Sequence, residues 1–307
     1  MCSIDSQYGF QFEPYQRKFK QPLRTSHGIW QIREGIIISL CNSEGKIAKG
    51  EIAPIPWFGS ETIAEAFSFC QQQGSIITPE TIYHISDRLP ACQFAFESAL
   101  QNIRGKLEEA TEDLFDCCYL LPTGKEAIAL NYEKIADSST FKWKIALEEA
   151  DREIARAKQL LTKLPARSKL RLDANGGLTI EEAKKWLTFA EQQSQIEYIE
   201  QPLPPEQFQT MIEFKENYDV TLALDESVTN IRQLIDCYEK GWRDVFVVKS
   251  AIAGFPSLLR EFSRRRDLDL VFSSVFETAI GRQAALRLAV ELSNRSRALG
   301  FGVERWF

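Results

Sequence analysis

The chain has 307 residues, 44% of them apolar, with 37 basic and 43 acidic side chains and a net charge of −6, which is the make-up of a globular protein of about two domains. Its Lys and Arg residues are scattered rather than massed, which argues against nucleic acid as a partner. No apolar run approaches the roughly 20 residues of a membrane span and Met1 to Phe10 has no charged-then-apolar leader pattern, so the reading is a cytoplasmic protein without membrane insertion.

From Tyr8 to about Cys41 the residues alternate as strands do, with Phe10, Phe12 and Phe19 between polar neighbours and a β-branched run at Ile36 to Leu40. Asn42-Ser43-Glu44-Gly45 predicts the turn of a hairpin. Helices are predicted from Glu61 to about Gln72, from Pro79 behind Thr78, and from Cys92 to about Ile103. This first unit, residues 1–100, reads as an α+β domain, and residues 101–307 as a second one. From Leu114 onward short apolar strands alternate with amphipathic helices. The strands fall at 116–121, 140–146, 169–175, 196–202, 220–227, 244–250, 269–275 and 300–305. Helix starts are marked by the capping box Thr179-Ile180-Glu181-Glu182 and by Asn230 ahead of Ile231, with Gly241 just beyond that helix. Eight strands alternating with helices predict a (β/α)8-type α/β barrel rather than an open sheet.

Polar residues recur at the ends of these strands, where a core strand should have none. Asp173, Glu200, Asp225, Lys249 and Ser273 follow one another at steps of 27, 25, 24 and 24 residues, each one βα unit. In a closed barrel they reach one C-terminal rim, where barrel enzymes place their active sites. Three converging carboxylates repel unless a cation joins them. With seven Cys but no CxxC, an adjacent pair Cys117-Cys118 that reads as reduced and buried, and His27 and His84 as the only histidines, neither a His-based centre nor a disulfide framework is expected. All-oxygen ligation by Asp173, Glu200 and Asp225 favours Mg²⁺, with Mn²⁺ able to substitute.

Lys142 and Lys144 are two apart on one strand and so share a face, with Trp143 on the other. Mutual repulsion, burial and a nearby cation are expected to lower the pKa of one of these amines into the range of a base. With Lys249 opposite, the set suits removal of a proton beside a metal-held carboxylate and stabilisation of an enediolate.

The ordered motifs Lys142-x-Lys144, Leu-Arg-Leu-Asp173-Ala-Asn175, Ile-Glu200-Gln-Pro202, Leu-Asp225-Glu-Ser227 and Val-Val-Lys249 resemble the enolase superfamily, muconate-lactonising subgroup. The resemblance implies a (β/α)7β TIM-like barrel with an N-terminal α+β capping domain that also receives C-terminal residues. It further implies that Lys144 is the base, that Lys249 lies on the other side of the substrate, and that Lys142 tunes its neighbour. Ser273-Ser274-x-x-Glu277-Thr278-x-x-Gly281 resembles a segment that receives a substrate carboxylate. Pro22-Leu23-Arg24-Thr25-Ser26-His27-Gly28 resembles the capping loop of the subgroup, placing Ser26 and His27 among the substrate contacts. Arg171, Asn175 and Glu226 are candidates for orienting substrate or ligands. The absence of Asp-x-Asp near Gly300 to Arg305 counts against dipeptide substrates, and the absence of a late histidine against sugar-acid dehydration.

Within the subgroup the likeness is to members that dehydrate a hydroxycyclohexadiene carboxylate to an aromatic acid on the way to menaquinone or phylloquinone. Racemisation of N-acylamino acids by the same two lysines, or another epimerase or cycloisomerase reaction of the subgroup, is the alternative, and a non-catalytic binding barrel a third. The implied partner is a small carboxylate, and the implied assembly a monomer or homodimer.

Overall fold

The computed structural model describes residues 6–25, 28–105, 116–135, 139–293, 297–303 and 306–307. Strands β1 (Tyr8–Thr25) and β2 (Gly28–Cys41) form a long antiparallel hairpin, and β3 (Ile47–Ile52) returns along β2. The predicted turn between β2 and β3 is present. Asn42 Oδ1 accepts the Glu44 and Lys46 amides, and Gly45 takes φ 81°, a left-handed conformation open to glycine. A short β4 (Ile76–Ile77) completes a sheet of order β3-β2-β1-β4. Ile36, Ile38 and Leu40 point from β2 into the core, where helix α3 (Pro90–Ile103) covers them.

Helix α1 (Ile63–Gln72) opens on a Thr62–Glu65 capping box, and α2 (Pro79–Tyr83) on the Thr78 side chain. Glu61, expected to begin α1, lies outside it. Its buried carboxylate instead accepts the Ala91 and Cys92 amides at 3.1 and 2.8 Å. It thereby supplies the cap that α3, preceded by Leu89, has no side chain of its own to make.

The second sheet has eight parallel strands: β5 (Cys117–Leu120), β6 (Thr140–Lys144), β7 (Lys169–Asp173), β8 (Ile196–Glu200), β9 (Leu222–Leu224), β10 (Val245–Val248), β11 (Leu270–Phe272) and β12 (Leu299–Gly302). β12 pairs with β5, and a parallel bridge between Ser273 and Gly300 brings the two ends together, so the sheet nearly closes into a barrel. Helices α4 (Ala150–Lys163), α5 (Ile180–Ala190), α6 (Phe208–Asn217), α7 (Ile231–Glu239), α8 (Pro256–Ser263) and α9 (Ala279–Leu292) follow β6 to β11 in turn. After β5 the described residues form 3-10 turns at 124–126 and 132–135 instead. The fold is thus a (β/α)7β-type barrel beside an antiparallel sheet unit.

The strands are shorter than the apolar runs suggested, and the reason lies at their C-terminal ends. Ala146, Asn175 and Gln201 adopt positive φ within two residues of the ends of β6, β7 and β8, and Phe276 does so four residues after β11. These left-handed corners turn the chain out of the sheet at the rim, and such backbone cost concentrates at functional sites. The capping box at Thr179 and the Asn230 cap are formed as the sequence predicts. Cys70, Cys92, Cys118 and Cys237 are buried, and burial pushes the Cys118 thiol up to about 11. No helix among the described residues is long and apolar enough to cross a membrane.

Candidate active site

Parallel register sets Lys144 beside Asp173, and Asp173 beside Glu200, at the ends of β6, β7 and β8. Asp225 and Lys249 lie one residue beyond β9 and β10. All five, with Lys142, Arg171, Asn175, Glu226, Ser273 and Ser274, line one cavity of about 170 Å³ at the barrel mouth. A larger cavity of about 700 Å³ shares Leu23, Leu120 and Lys144 with it, and so adjoins it on the Lys144 side.

The Lys142 ammonium bridges two carboxylates, 2.9 Å from Asp173 Oδ2 and 2.7 Å from Glu200 Oε1. Lys249 Nζ contacts Asp225 Oδ1. Lys144 donates instead to Asn175 Oδ1 at 2.9 Å, and Asn175 Nδ2 donates to Glu226 Oε1 at 3.0 Å. The expected lowering of a lysine pKa does not apply to Lys142. Burial opposes its charge, but Asp173, Glu200 and Asp225 together outweigh burial and hold it well above the ordinary lysine range. The carboxylates opposite, rather than the like charge two residues away, set the state of this amine. Burial likewise opposes ionisation of Asp173, yet Lys142 and Lys144 prevail and keep its pKa below the usual range. Burial and then Asp173 push Glu200 up to about 7, and burial raises both Asp225 and Glu226.

Among the described residues no three of His, Cys, Asp and Glu are gathered closely enough to hold a metal ion by themselves. The lysines supply the neutralising charge, with Lys142 bridging Asp173 and Glu200. The donor set nevertheless fits a hard cation. Glu200 Oε2 and Glu226 Oε2 are buried oxygens without a hydrogen-bond partner, a costly state that a cation would relieve.

Other predicted residues divide. Arg171 lines the cavity but is also committed to structure, bound to Glu197 at 2.6 Å with its guanidinium 4.9 Å from the Tyr198 ring centroid. Ser273 and Ser274 reach the cavity; Glu277 does not. The Glu277 carboxylate accepts the Ser274 hydroxyl at 2.9 Å and the Val275 amide at 2.6 Å, so it shapes the segment from behind. Ser26 and His27 lie outside the described residues. The hairpin tip beside them reaches the cavity through Leu23, paired with Trp30.

Three further contributors escaped the sequence reading. Gln201 Oε1 accepts the Asp225 and Ser227 amides at 3.0 and 3.1 Å, tying the end of β8 to the Asp225 turn. Trp30, Trp57, Phe58 and Phe276 bring aromatic surface to the cavity mouth. Near them Phe307, from the end of the chain, stacks on Phe19 with ring centroids 4.8 Å apart. Glu51 joins β3 to the start of α9. The available signals were a glutamine set between a rim carboxylate and Pro202, and two aromatics in the Pro54–Phe58 segment.

The Enolase C-terminal domain-like family model matches residues 128–304, and the MenC N-terminal domain model matches residues 15–103. The chain belongs to the enolase superfamily. The particular likeness is to o-succinylbenzoate synthases. That of Thermosynechococcus vestitus is 38% identical over 97% of this chain and 93% of its own length. The crystal structure of the Thermosynechococcus elongatus enzyme, complexed with Mg in the active site, superposes with a TM-score of 0.89 at 37% identity, covering 97% of this chain and 94% of that one. A dipeptide epimerase from Enterococcus faecalis matches with a TM-score of 0.81, covering 96% of this chain and 90% of its own. At 22% identity that likeness speaks for the fold alone.

Proposed function

We propose that this chain dehydrates 2-succinyl-6-hydroxy-2,4-cyclohexadiene-1-carboxylate to o-succinylbenzoate, a step toward menaquinone or phylloquinone. The observation that carries the reading is the gathering of Lys144, Lys249 and three carboxylates on one cavity, in a chain 38% identical over 97% of its length to such a synthase. The reaction breaks the C–H bond beside the ring carboxylate and the C–O bond of the neighbouring hydroxyl, and releases water. Lys144 takes the proton and returns it to the departing hydroxyl. Asn175, itself held by Glu226, fixes the Lys144 amine at the cavity wall. Lys249 offsets the negative charge that builds on the carboxylate.

Asp173, Glu200 and Asp225 would hold Mg²⁺, with Mn²⁺ as a substitute. When bound, the ion supplies positive charge beside the substrate carboxylate. Lys142 keeps Asp173 ionised and so tunes Lys144 through it. Ser273 offers its hydroxyl to a substrate carboxylate, whereas the Ser274 hydroxyl is held by Glu277 and Arg171 lines the cavity wall. Because the product is aromatic, the elimination runs downhill and the site need only activate the carbon acid. In this reading residues 1–100 cap the barrel of residues 101–307, and the enzyme works in the cytoplasm as a monomer or homodimer.

The test is a spectrophotometric assay of the purified protein with the cyclohexadiene carboxylate and Mg²⁺, with and without chelator. Chelator-sensitive formation of o-succinylbenzoate is expected. No turnover by a protein that binds Mg²⁺ overturns the synthase reading in favour of racemisation of N-acylamino acids.

A further inference from the structure

The turn Pro56–Phe58, which follows β3, lays the Phe58 ring over the Lys249 ammonium, with Nζ 3.8 Å from the ring centroid. Phe58 is half-buried and lines the same cavity. The turn is braced throughout. The Phe58 amide donates to Ile55 O at 2.9 Å, the Gly59 amide to Pro56 O at 3.1 Å, and the Ile55 amide to Ser60 Oγ at 2.7 Å. Gly59 closes it at φ 91°, and a Cβ there would lie 2.9 Å from Thr229 Oγ1. Glycine therefore lets the turn rest directly on the segment that leaves Asp225 for α7. The ring of Phe58 and the carboxylate of Asp225 reach the same ammonium from two separate parts of the chain.

We propose that Phe58 is a positioning residue for Lys249. A lysine ammonium is a compact charge on a flexible four-carbon stem, and the contact to Asp225 holds that charge from one side only. The negative face of an aromatic ring attracts the cation without consuming a hydrogen-bond acceptor. Held between ring and carboxylate, the Lys249 charge meets the substrate at one place. The inference deepens the proposed function and rests on it, since the position matters only when Lys249 acts on the substrate.

The test uses the full-length protein with phenylalanine at position 58 replaced by mono-, di- and trifluorinated analogues, together with Phe58→Tyr and Phe58→Leu. Fluorine drains the negative ring face with little change in size. Turnover should fall stepwise with each fluorine, Phe58→Leu should lose roughly three- to thirtyfold in kcat, and Phe58→Tyr should retain most of it. A role in packing alone predicts a flat fluorine series, and that result overturns the proposal. A second measurement does not depend on activity. In protein labelled with ¹³C-lysine, the ε-methylene signal that disappears in Lys249→Arg should stand upfield, shifted by the ring, and move to the ordinary position in Phe58→Leu. An unshifted signal in the unaltered protein overturns the contact. If the unaltered protein does not turn over the cyclohexadiene carboxylate, the proposed reaction fails, and the upfield signal alone decides for or against the pairing.

Discussion

The Glu51 carboxylate and the Gly281 amide, 230 residues apart in sequence, meet at 2.9 Å. The same carboxylate accepts the Thr278 amide at 2.8 Å, the Thr278 hydroxyl and the Tyr15 hydroxyl. An acidic side chain on β3 therefore caps the first turn of α9, where unpaired N–H groups and the helix dipole favour negative charge. The segment from Ser273 to Gly281 reads in sequence as a substrate-binding motif. Its front end, Ser273 and Ser274, does face the cavity, but its back end fastens the barrel to the first sheet unit.

That fastening makes Gly281 sensitive. A Cβ there would lie 2.9 Å from Glu51 Oε2 and 3.0 Å from Glu277 Cβ, and both side chains are buried and already hydrogen-bonded. Gly281→Ala is expected to cost about 1–3 kcal/mol of stability in urea unfolding. Glu51→Ala leaves the Thr278 and Gly281 amides unpaired and should cost a similar amount, roughly 1–3 kcal/mol. The double variant should cost less than the sum, because Glu51→Ala removes the oxygen that the new methyl group strikes. Strict additivity would show that the two residues do not act on each other.

Lys144 is the second point of test. Its ammonium donates to Asn175 rather than to Asp173, Glu200 or Asp225, so removing it leaves the proposed metal ligands and their bridging Lys142 in place. Lys144→Ala should lower kcat by roughly 10²- to 10⁴-fold, with Mg²⁺ affinity by calorimetry close to that of the unaltered protein. Substantial residual turnover removes Lys144 as the base.

The sequence was informative where chemistry repeats with the fold. Asp173, Glu200, Asp225 and Lys249 stand out because a charged side chain at the end of an apolar strand recurs once per βα unit, and the barrel converts that period into proximity. Phe58 over Lys249, Glu51 on α9, and Glu61 on α3 carry no such period. Each joins segments at unrelated separations, and an isolated phenylalanine or glutamate looks the same in sequence whether it faces solvent or a partner. The charge on Lys142 is hidden in the sequence for a related reason. Its neighbour Lys144 is visible two residues away, whereas Asp173 and Glu200 come beside it only through the parallel register of β6, β7 and β8.

Gln201 offers a test of how Asp225 is held. Its side chain spans the gap between β8 and β9, accepting the Asp225 and Ser227 amides and donating to Ser227 Oγ at 2.7 Å and Leu203 O at 2.9 Å. Gln201→Leu keeps comparable bulk but leaves both amides unpaired, so the Asp225 turn should relax. Mg²⁺ affinity is expected to fall by roughly 10- to 100-fold, the usual scale for a group that supports a ligand. Asp225→Asn should weaken Mg²⁺ binding and turnover together. An unchanged Mg²⁺ dissociation constant in both variants would remove Asp225 from the ligand set.

Glu200 sets the expected pH dependence. Burial and the neighbouring Asp173 push it up to about 7 in the metal-free protein, from an ordinary value of 4.5. A carboxyl raised on folding gives a contribution to stability that is fully present below the unfolded pKa, near 4.5, and is lost as the pH rises through about 7. In the proposed ligand set Mg²⁺ takes the ionised form, so below pH 7 its binding is expected to release the Glu200 proton. The apparent affinity should rise by up to about tenfold per pH unit between roughly pH 5.5 and 7 and then level off. The gain in Tm on adding Mg²⁺ should correspondingly be larger at about pH 8 than at about pH 6. Calorimetric titration at the lower pH in two buffers of different ionisation enthalpy counts the released protons. A count near one, falling toward zero above the upper pH, is the expected result. A count of zero at both, with a constant dissociation constant, would mean that Glu200 is already ionised before the metal arrives, and that Lys142, bridging it to Asp173, has overcome the burial and repulsion acting on it.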